Sequence, residues 1–255
     1  RLLDPPLHEF LPVKNEQITE LANSLNVTKK QLNQTIESLH EANPMLGHRG
    51  CRLGITYPEI TEMQTLAIVK ATVQLIKEGY NPKPEIMIPL VGSLGEFIHQ
   101  KDIVQSVIKQ TLKKHTIKSI NLKIGTMIEL PRACLIADKI ALHADFLSFG
   151  TNDLTQTTFG FSRDDIGSFL PNYLSKNIID KDPFSSLDKA GVGELIKIAI
   201  KKARAKNKTI KIGICGEHGG DPDSISFFNA LNFDYVSCSP YRMPIASLTI
   251  AKFNS

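Results

Sequence analysis

The sequence predicts an α/β fold in which parallel strands are joined by crossover helices, and three observations predict it. Short apolar runs recur at residues 85–90, 122–130, 145–149, 210–215 and 234–238. A helical pattern follows each of the first four, rather than a two-residue hairpin turn, which is the alternation expected of parallel pairing. Each run also opens at its C-terminal end into small and polar residues, where ligand-binding loops of such sheets lie. Residues 1–4 read as the end of one more strand, giving six. A closed (β/α)8 barrel with two strands upstream of Arg1 fits this pattern, and so does an open doubly wound sheet.

The elements follow in order. Residues 13–46 read as a helical insertion: Ile18, Leu21, Ala22 and Leu25 share one face, and Thr28 can cap a second helix carrying Leu32, Ile36 and Leu39. Residues 47–54 hold three glycines and two arginines and read as a binding loop. A long helix starts near Pro58, turns Met63, Leu66, Val69, Val73 and Ile76 inward, and stops at Gly79. The five strand–loop units occupy the remainder.

The 255 residues suffice for one large domain, with 42% hydrophobic and 22% charged residues. The net charge of +4 comes from lysines scattered over helix faces, and Lys201, Lys202, Lys206 and Lys208 close a helix at its negative end. Without a basic stripe bearing interleaved aromatics, nucleic acid is not expected as a partner. Cys51, Cys134, Cys215 and Cys238 form no CxxC pair, which suits a reducing, cytoplasmic compartment. No apolar run approaches the roughly 20 residues of a membrane span, and residues 1–4 do not open a signal peptide.

The chemistry concentrates at the strand ends. Glu129 and Asp153 each end an apolar run, and hard oxygens from neighbouring strands suit Mg²⁺; the same two acids could equally cap the helices that follow. Arg1, Arg49, Arg52, Arg132, Arg163 and Arg242 offer guanidinium groups to a small anion or, alternatively, to solvent. Cys215 stands at a strand end either as a small buried apolar residue or as a reactive thiol. His218 reads as a loop or helix-capping residue rather than a catalytic base.

Residues 145–163, DFLSFGTNDLTQTTFGFSR, resemble the signature of the phosphoenolpyruvate-utilising enzymes. Within that family three further blocks resemble its pyruvate, phosphate dikinase branch: RLLDPPLHEFLP at 1–12, NPMLGHRGCRLG at 43–54 and GICGEHGGDP at 213–222. The resemblance runs nearly end to end. It implies a (β/α)8 barrel, cut before Arg1, that binds phosphoenolpyruvate or pyruvate with Mg²⁺ at the C-terminal ends of its strands. By the same resemblance Glu129 and Asp153 are the metal ligands. Asn152 and the Gly150-Thr151 turn hold the substrate carboxylate, Arg1 and Arg49 hold the phosphoryl group, Arg163 assists with substrate charge, and Met127 lines the pocket. Cys215 gives and takes the proton at substrate carbon 3. The implied partners are a phosphohistidine domain of the same enzyme and a second copy in a homodimer. Phosphoenolpyruvate synthase, enzyme I of the sugar phosphotransferase system, and a dimerisation module without catalysis are the alternatives; the 1–12 block and the helical insertion argue against the first two.

Overall fold

The computed structural model describes residues 1–254. The chain opens with residues 1–4 extended along the sheet edge, where Leu2 N–H donates to Met87 O at 2.9 Å and the Leu2 side chain is buried. This segment is not a strand, so the expected sixth strand is reduced to an extended stretch bonded to its neighbour.

Helices α1 (Asn15–Leu25) and α2 (Lys29–Ser38) occupy the stretch expected to be helical. Asn26 in a left-handed conformation ends α1, and Thr28 caps α2 by accepting from Gln31 N–H at 3.2 Å while Gln31 Oε1 accepts from Thr28 N–H. Ile18, Ala22 and Leu32 make a small core of their own between the pair, flanked by Leu21 and Ile36. Leu25 of the expected apolar face stays exposed.

The glycine-rich stretch departs from expectation. Its second half is a helix, α3 (Gly50–Thr56), followed at once by α4 (Pro58–Lys77). Glycine is there for space: a side chain at Gly54 would collide with Thr61 Oγ1 of α4 and with Gln100. Helix α4 turns most of its expected face inward, with Val69 and Val73 buried and Leu66 and Ile76 half-buried. Met63 is exposed, and Thr61, Thr65, Val69, Thr72 and Val73 are the buried residues. Threonines are short enough to let helices approach closely, and Thr61 Oγ1 donates to the buried Gln100 Oε1 at 2.7 Å.

The remaining elements alternate as predicted: β1 (Glu85–Ile88), α5 (Leu94–Lys114), β2 (Lys123–Ile128), α6 (Pro131–Leu135), α7 (Ala137–Ala141), β3 (Phe146–Gly150), α8 (Thr151–Phe159), α9 (Leu170–Ser175), α10 (Val192–Lys206), β4 (Lys211–Cys215), α11 (Pro222–Ala230), β5 (Tyr235–Ser237) and α12 (Met243–Asn254). All pairs are parallel, and the strand order is β1-β2-β3-β4-β5. The register is pinned twice by one device. Asp145, just before β3, donates its N–H to Ile124 O and accepts from Ile124 N–H at 2.7 Å; Asp234, just before β5, does the same to Ile212. Ile86, Ile88, Ile128, Leu147, Phe149, Ile212 and Ile214 are buried, as strands covered on both faces must be. Full burial of a side chain such as Phe149 contributes about 2 kcal/mol. Among the described residues no helix is long and apolar enough to cross a membrane.

Candidate functional site

A cavity of about 320 Å³ opens beyond the C-terminal ends of β2, β3 and β4. Arg1, Met87, Met127, Glu129, Gly150, Asn152, Asp153, Cys215 and Gly216 line it. Strand register brings three of these to one level. Gly150 pairs with Cys215, and Ile128 pairs with Phe149, so Glu129 comes level with Gly150. A side chain at Gly150 would run into Glu129 and Met127, so glycine lets the two neighbouring strand ends close together. Thr151, Asn152 and Asp153 form the first turn of α8. Thr151 is buried, its hydroxyl 3.5 Å from Cys215 O, and Asn152 Oδ1 is buried without a hydrogen-bond partner.

Three carboxylates cluster here, of which Glu129 and Asp153 line the cavity and Asp4 stands behind them. Asp4, Glu129 and Asp153 each present an oxygen within 4.8 Å of the others. Glu129 is fully buried; its Oε1 accepts from Leu90 N–H at 2.5 Å, and its Oε2 has no partner. Burial, reinforced by Asp153 and Asp4, pushes the Glu129 carboxyl up to about 8 against the opposing pull of Leu90 N–H and Arg49. Asp4 Oδ2 takes Arg49 Nη2 at 2.5 Å and Arg1 Nη1 at 3.4 Å, leaving Oδ1 unpartnered. Arg49 is buried and also grips Asp153, with Nη1 to Oδ1 at 2.9 Å and Nη2 to Oδ2 at 3.4 Å. Burial alone would lower the Arg49 pKa, but Asp153 and Asp4 outweigh it and raise it.

The Cys215 thiol faces the same cavity. Burial, then the nearby Glu129 charge, raise its pKa against smaller opposing effects of the Ser148 hydroxyl and Arg1. The thiol is therefore protonated at neutral pH. Arg1 stands at the rim with its side chain 44% exposed.

Other sequence candidates lie elsewhere. Arg163 is not in the lining; its Nη2 is 3.9 Å from Glu217 Oε1, and Arg242 meets the other oxygen of that carboxylate at the same distance. Arg52 ties down the preceding turn through Leu46 O and Gly47 O, and Arg132 bonds Gly92 O. His218 lies in the loop that joins β4 to α11. It is fully buried in a 3-10 turn, with Nε2 2.9 Å from Pro183 O, because the adjoining glycines let that turn fold inward. A second cavity of about 340 Å³ around Lys181, Asp188 and Asp223 offers little free chemistry: Lys181 pairs with Asp223 at 2.8 Å, and Asp188 caps α10.

Sequence reasoning passed over Asp4, Met87 and Gly216. Asp4 carried a usable signal, since it follows Leu2-Leu3 as Glu129 follows its own apolar run. Met87 alternates with the buried Ile86 and Ile88, so period two sets it on the opposite face of β1.

A parallel α/β sheet thus gathers acids, arginines and a thiol past its C-terminal edge. The chain belongs to the phosphoenolpyruvate-utilising enzymes: the family model described as their PEP-binding domain matches residues 1–255. It is 56% identical over 256 residues to pyruvate, phosphate dikinase 1, chloroplastic, of Arabidopsis thaliana, covering 99% of this chain and 26% of that relative. Identity is 55% to the chloroplastic pyruvate, phosphate dikinase of Mesembryanthemum crystallinum and 53% to pyruvate, phosphate dikinase 2 of Zea mays; 99% of this chain is covered in both, with 27% and 29% of the respective relatives. The chain thus spans between a quarter and a third of the length of these curated relatives.

Proposed function

We propose that the chain is the phosphoenolpyruvate/pyruvate-binding part of a pyruvate, phosphate dikinase. It interconverts the two substrates by phosphoryl transfer to and from a histidine on a separate domain of the same enzyme. In the complete enzyme the net reaction joins ATP, phosphate and pyruvate to AMP, diphosphate and phosphoenolpyruvate. The observation that carries this reading is the convergence of Arg1, Met127, Glu129, Gly150, Asn152, Asp153 and Cys215 on one cavity. The family match and the names of the relatives support it.

Residues 1–255 form a single barrel-type domain in this reading, with 13–46 inserted. The strand order favours a barrel over a doubly wound sheet: it runs consecutively from β1 to β5 without the reversal that marks a switch point.

The acidic cluster fits Mg²⁺. Its donors are hard oxygens, and two of them, Glu129 Oε2 and Asp4 Oδ1, are buried without partners. Glu129 and Asp153 hold the cation in this reading, and when bound it supplies positive charge against negative charge developing on a substrate oxygen. The protein's own groups do the remaining work. Asn152 and the Gly150-Thr151 turn orient the substrate carboxylate, Arg1 and Arg49 neutralise the phosphoryl group, and Met127 excludes water beside the reacting carbon. Cys215, protonated at rest, delivers a proton to carbon 3 as pyruvate forms and recovers it in reverse. Arg163 lends charge from beside Glu217, next to the cavity residue Gly216.

The exposed side chains of Tyr241, Met243, Ile245 and Leu248 around the start of α12 support a protein partner, which we assign to a second copy in a homodimer. The four free cysteines support a reducing compartment such as the cytoplasm.

Calorimetric titration of the chain with phosphoenolpyruvate, with and without Mg²⁺, tests the reading. Saturable heat that requires Mg²⁺ and is lost in Asp153→Ala is expected. Heat unchanged by Asp153→Ala would make Asp153 a helix residue only, and no heat at all would leave the chain an assembly module.

A further inference from the structure

The Arg49 guanidinium has no free donor. Its Nε donates to Asp4 O at 3.1 Å; Nη1 donates to Met45 O at 3.3 Å and Asp153 Oδ1 at 2.9 Å; Nη2 donates to Asp4 Oδ2 at 2.5 Å and Asp153 Oδ2 at 3.4 Å. Those five bonds use all five N–H groups of an arginine. The residue is 3% exposed, so water does not stand in for a lost partner. As it stands, Arg49 has nothing left to offer an anion, and both Asp153 oxygens already carry its positive charge at hydrogen-bond distance.

A cation brought to Asp153 would face this guanidinium across one carboxylate, where like charges a few ångströms apart repel strongly in a poorly screened interior. Arg49 and a cation therefore compete for Asp153. Releasing a buried guanidinium with no second partner would leave an uncompensated charge, a penalty that opposes the exchange. Asp4 provides that second partner through both its carboxylate and its backbone carbonyl.

We propose that Asp4 is a positioning residue, which anchors Arg49 while the guanidinium's grip on Asp153 is exchanged for a divalent cation. The inference rests on the reading of Glu129 and Asp153 as the cation-holding pair. Its consequence is an order of events. Cation binding frees the two N–H groups that Asp153 occupied, and those groups then become available to a phosphoryl anion. Each ligand accordingly strengthens the other, by linkage through one arginine.

Asp4 could instead be a third cation ligand, since its Oδ1 is unpartnered within 4.8 Å of the other acids. A double-mutant cycle separates the two roles. Mn²⁺ binding to the chain is measured by electron paramagnetic resonance for wild type, Asp4→Asn, Arg49→Gln, the double variant and Glu129→Gln. Positioning predicts that Asp4→Asn weakens Mn²⁺ about tenfold, that Arg49→Gln tightens it several-fold, and that the Asp4→Asn penalty falls to about twofold when Arg49 is already gone. An equal penalty in both backgrounds makes Asp4 a ligand and overturns the proposal alone, as does weaker Mn²⁺ binding in Arg49→Gln. Mn²⁺ binding indifferent to Glu129→Gln overturns the cation-site reading and the proposal with it. If Arg49→Gln fails to fold, Arg49→Lys takes its place. A lysine cannot span both carboxylates with a planar fork, so the Asp4→Asn penalty must shrink there too, and an undiminished one has the same adverse meaning.

Discussion

Leu90 aims its backbone N–H at Glu129 Oε1, 2.5 Å away, from a left-handed conformation with φ of 59° that a leucine rarely adopts. The surroundings hold it there: its side chain is buried in contact range of Gly50, and its carbonyl accepts from Cys51 Sγ at 3.3 Å. A strained residue fixed by the packing of α3 thus orients one oxygen of the buried acid and leaves the other without a partner.

That acid makes the stability of the metal-free chain depend on pH. Folded Glu129 keeps its proton up to about 8, whereas in the unfolded chain it ionises near 4.5. Between those values the folded state binds more protons, so stability falls as pH rises through this window, by at most ~1.4 kcal/mol per unit. Glu129→Gln, which keeps an acceptor for Leu90 N–H, should remove that slope while abolishing Mg²⁺-dependent binding. Urea denaturation at pH 5, 6.5 and 8 makes the comparison, and parallel curves for the two proteins would refute a neutral buried Glu129.

Cys215→Ser should stop exchange of pyruvate methyl protons with D2O, read by proton NMR in the presence of Mg²⁺. The loss should be about 100-fold or more, the scale of a positioned acid–base group. Pyruvate binding, followed by calorimetry, should survive, because the exchange replaces one small side chain by another at the cavity wall. Retained exchange would move the proton transfer to a different residue.

Much of this architecture can be read from the chain. All five strands lie within two residues of their apolar runs, because the buried central strands β2, β3 and β4 concentrate apolar residues and turn residues bound each run sharply. The placement of Glu129, Asp153 and Cys215 at the C-terminal edge of the sheet was legible for a related reason, since each stands at or just past the end of such a run. The pattern alone left their roles open, and only the family resemblance assigned them. Helix α3 was not legible, since its glycines mark tight helix contacts that no local pattern encodes. On α4 the buried Val69 and Val73 were legible, but Thr61, Thr65 and Thr72 were not, because hydrophobic periodicity passes over threonines. The Asp4–Arg49–Asp153 chain joins positions 45 and 104 residues apart, a relation that only the fold creates. The burial of His218 was not legible for the same reason, as its ring meets Pro183 O from a position 35 residues away.

His218 should give a pH response of the opposite sign to that of Glu129. Burial lowers its pKa below the ordinary 6.5, against smaller opposing effects of the Pro183 carbonyl and nearby acids. As pH falls through 6.5 the unfolded chain takes up a proton before the folded one, so the stabilising contribution present above 6.5 is progressively lost in acid. His218→Gln keeps a donor for Pro183 O and cannot titrate. It should flatten the acid limb of thermal unfolding between pH 7 and 5.5, and an unchanged limb would show that His218 protonates freely in the folded state.

Gly150→Ala tests how rigid the cavity wall is. The added methyl would collide with Glu129 Oε2 and stand 2.5 Å from Met127 Cε and 2.9 Å from Glu129 Cβ. Neither neighbour can retreat easily, since Glu129 is fully buried and Met127 is 2% exposed. Overpacking of this kind costs about 1–3 kcal/mol, and it pushes against the very oxygen that has no other partner. Gly167→Ala serves as the control, because a side chain there meets nothing within 4 Å. The expected outcome is a destabilised Gly150→Ala chain that no longer binds phosphoenolpyruvate with Mg²⁺, beside a Gly167→Ala chain close to wild type in both respects. Wild-type binding in Gly150→Ala would mean that Glu129 swings aside without loss, and that its approach to Gly150 does not define the site.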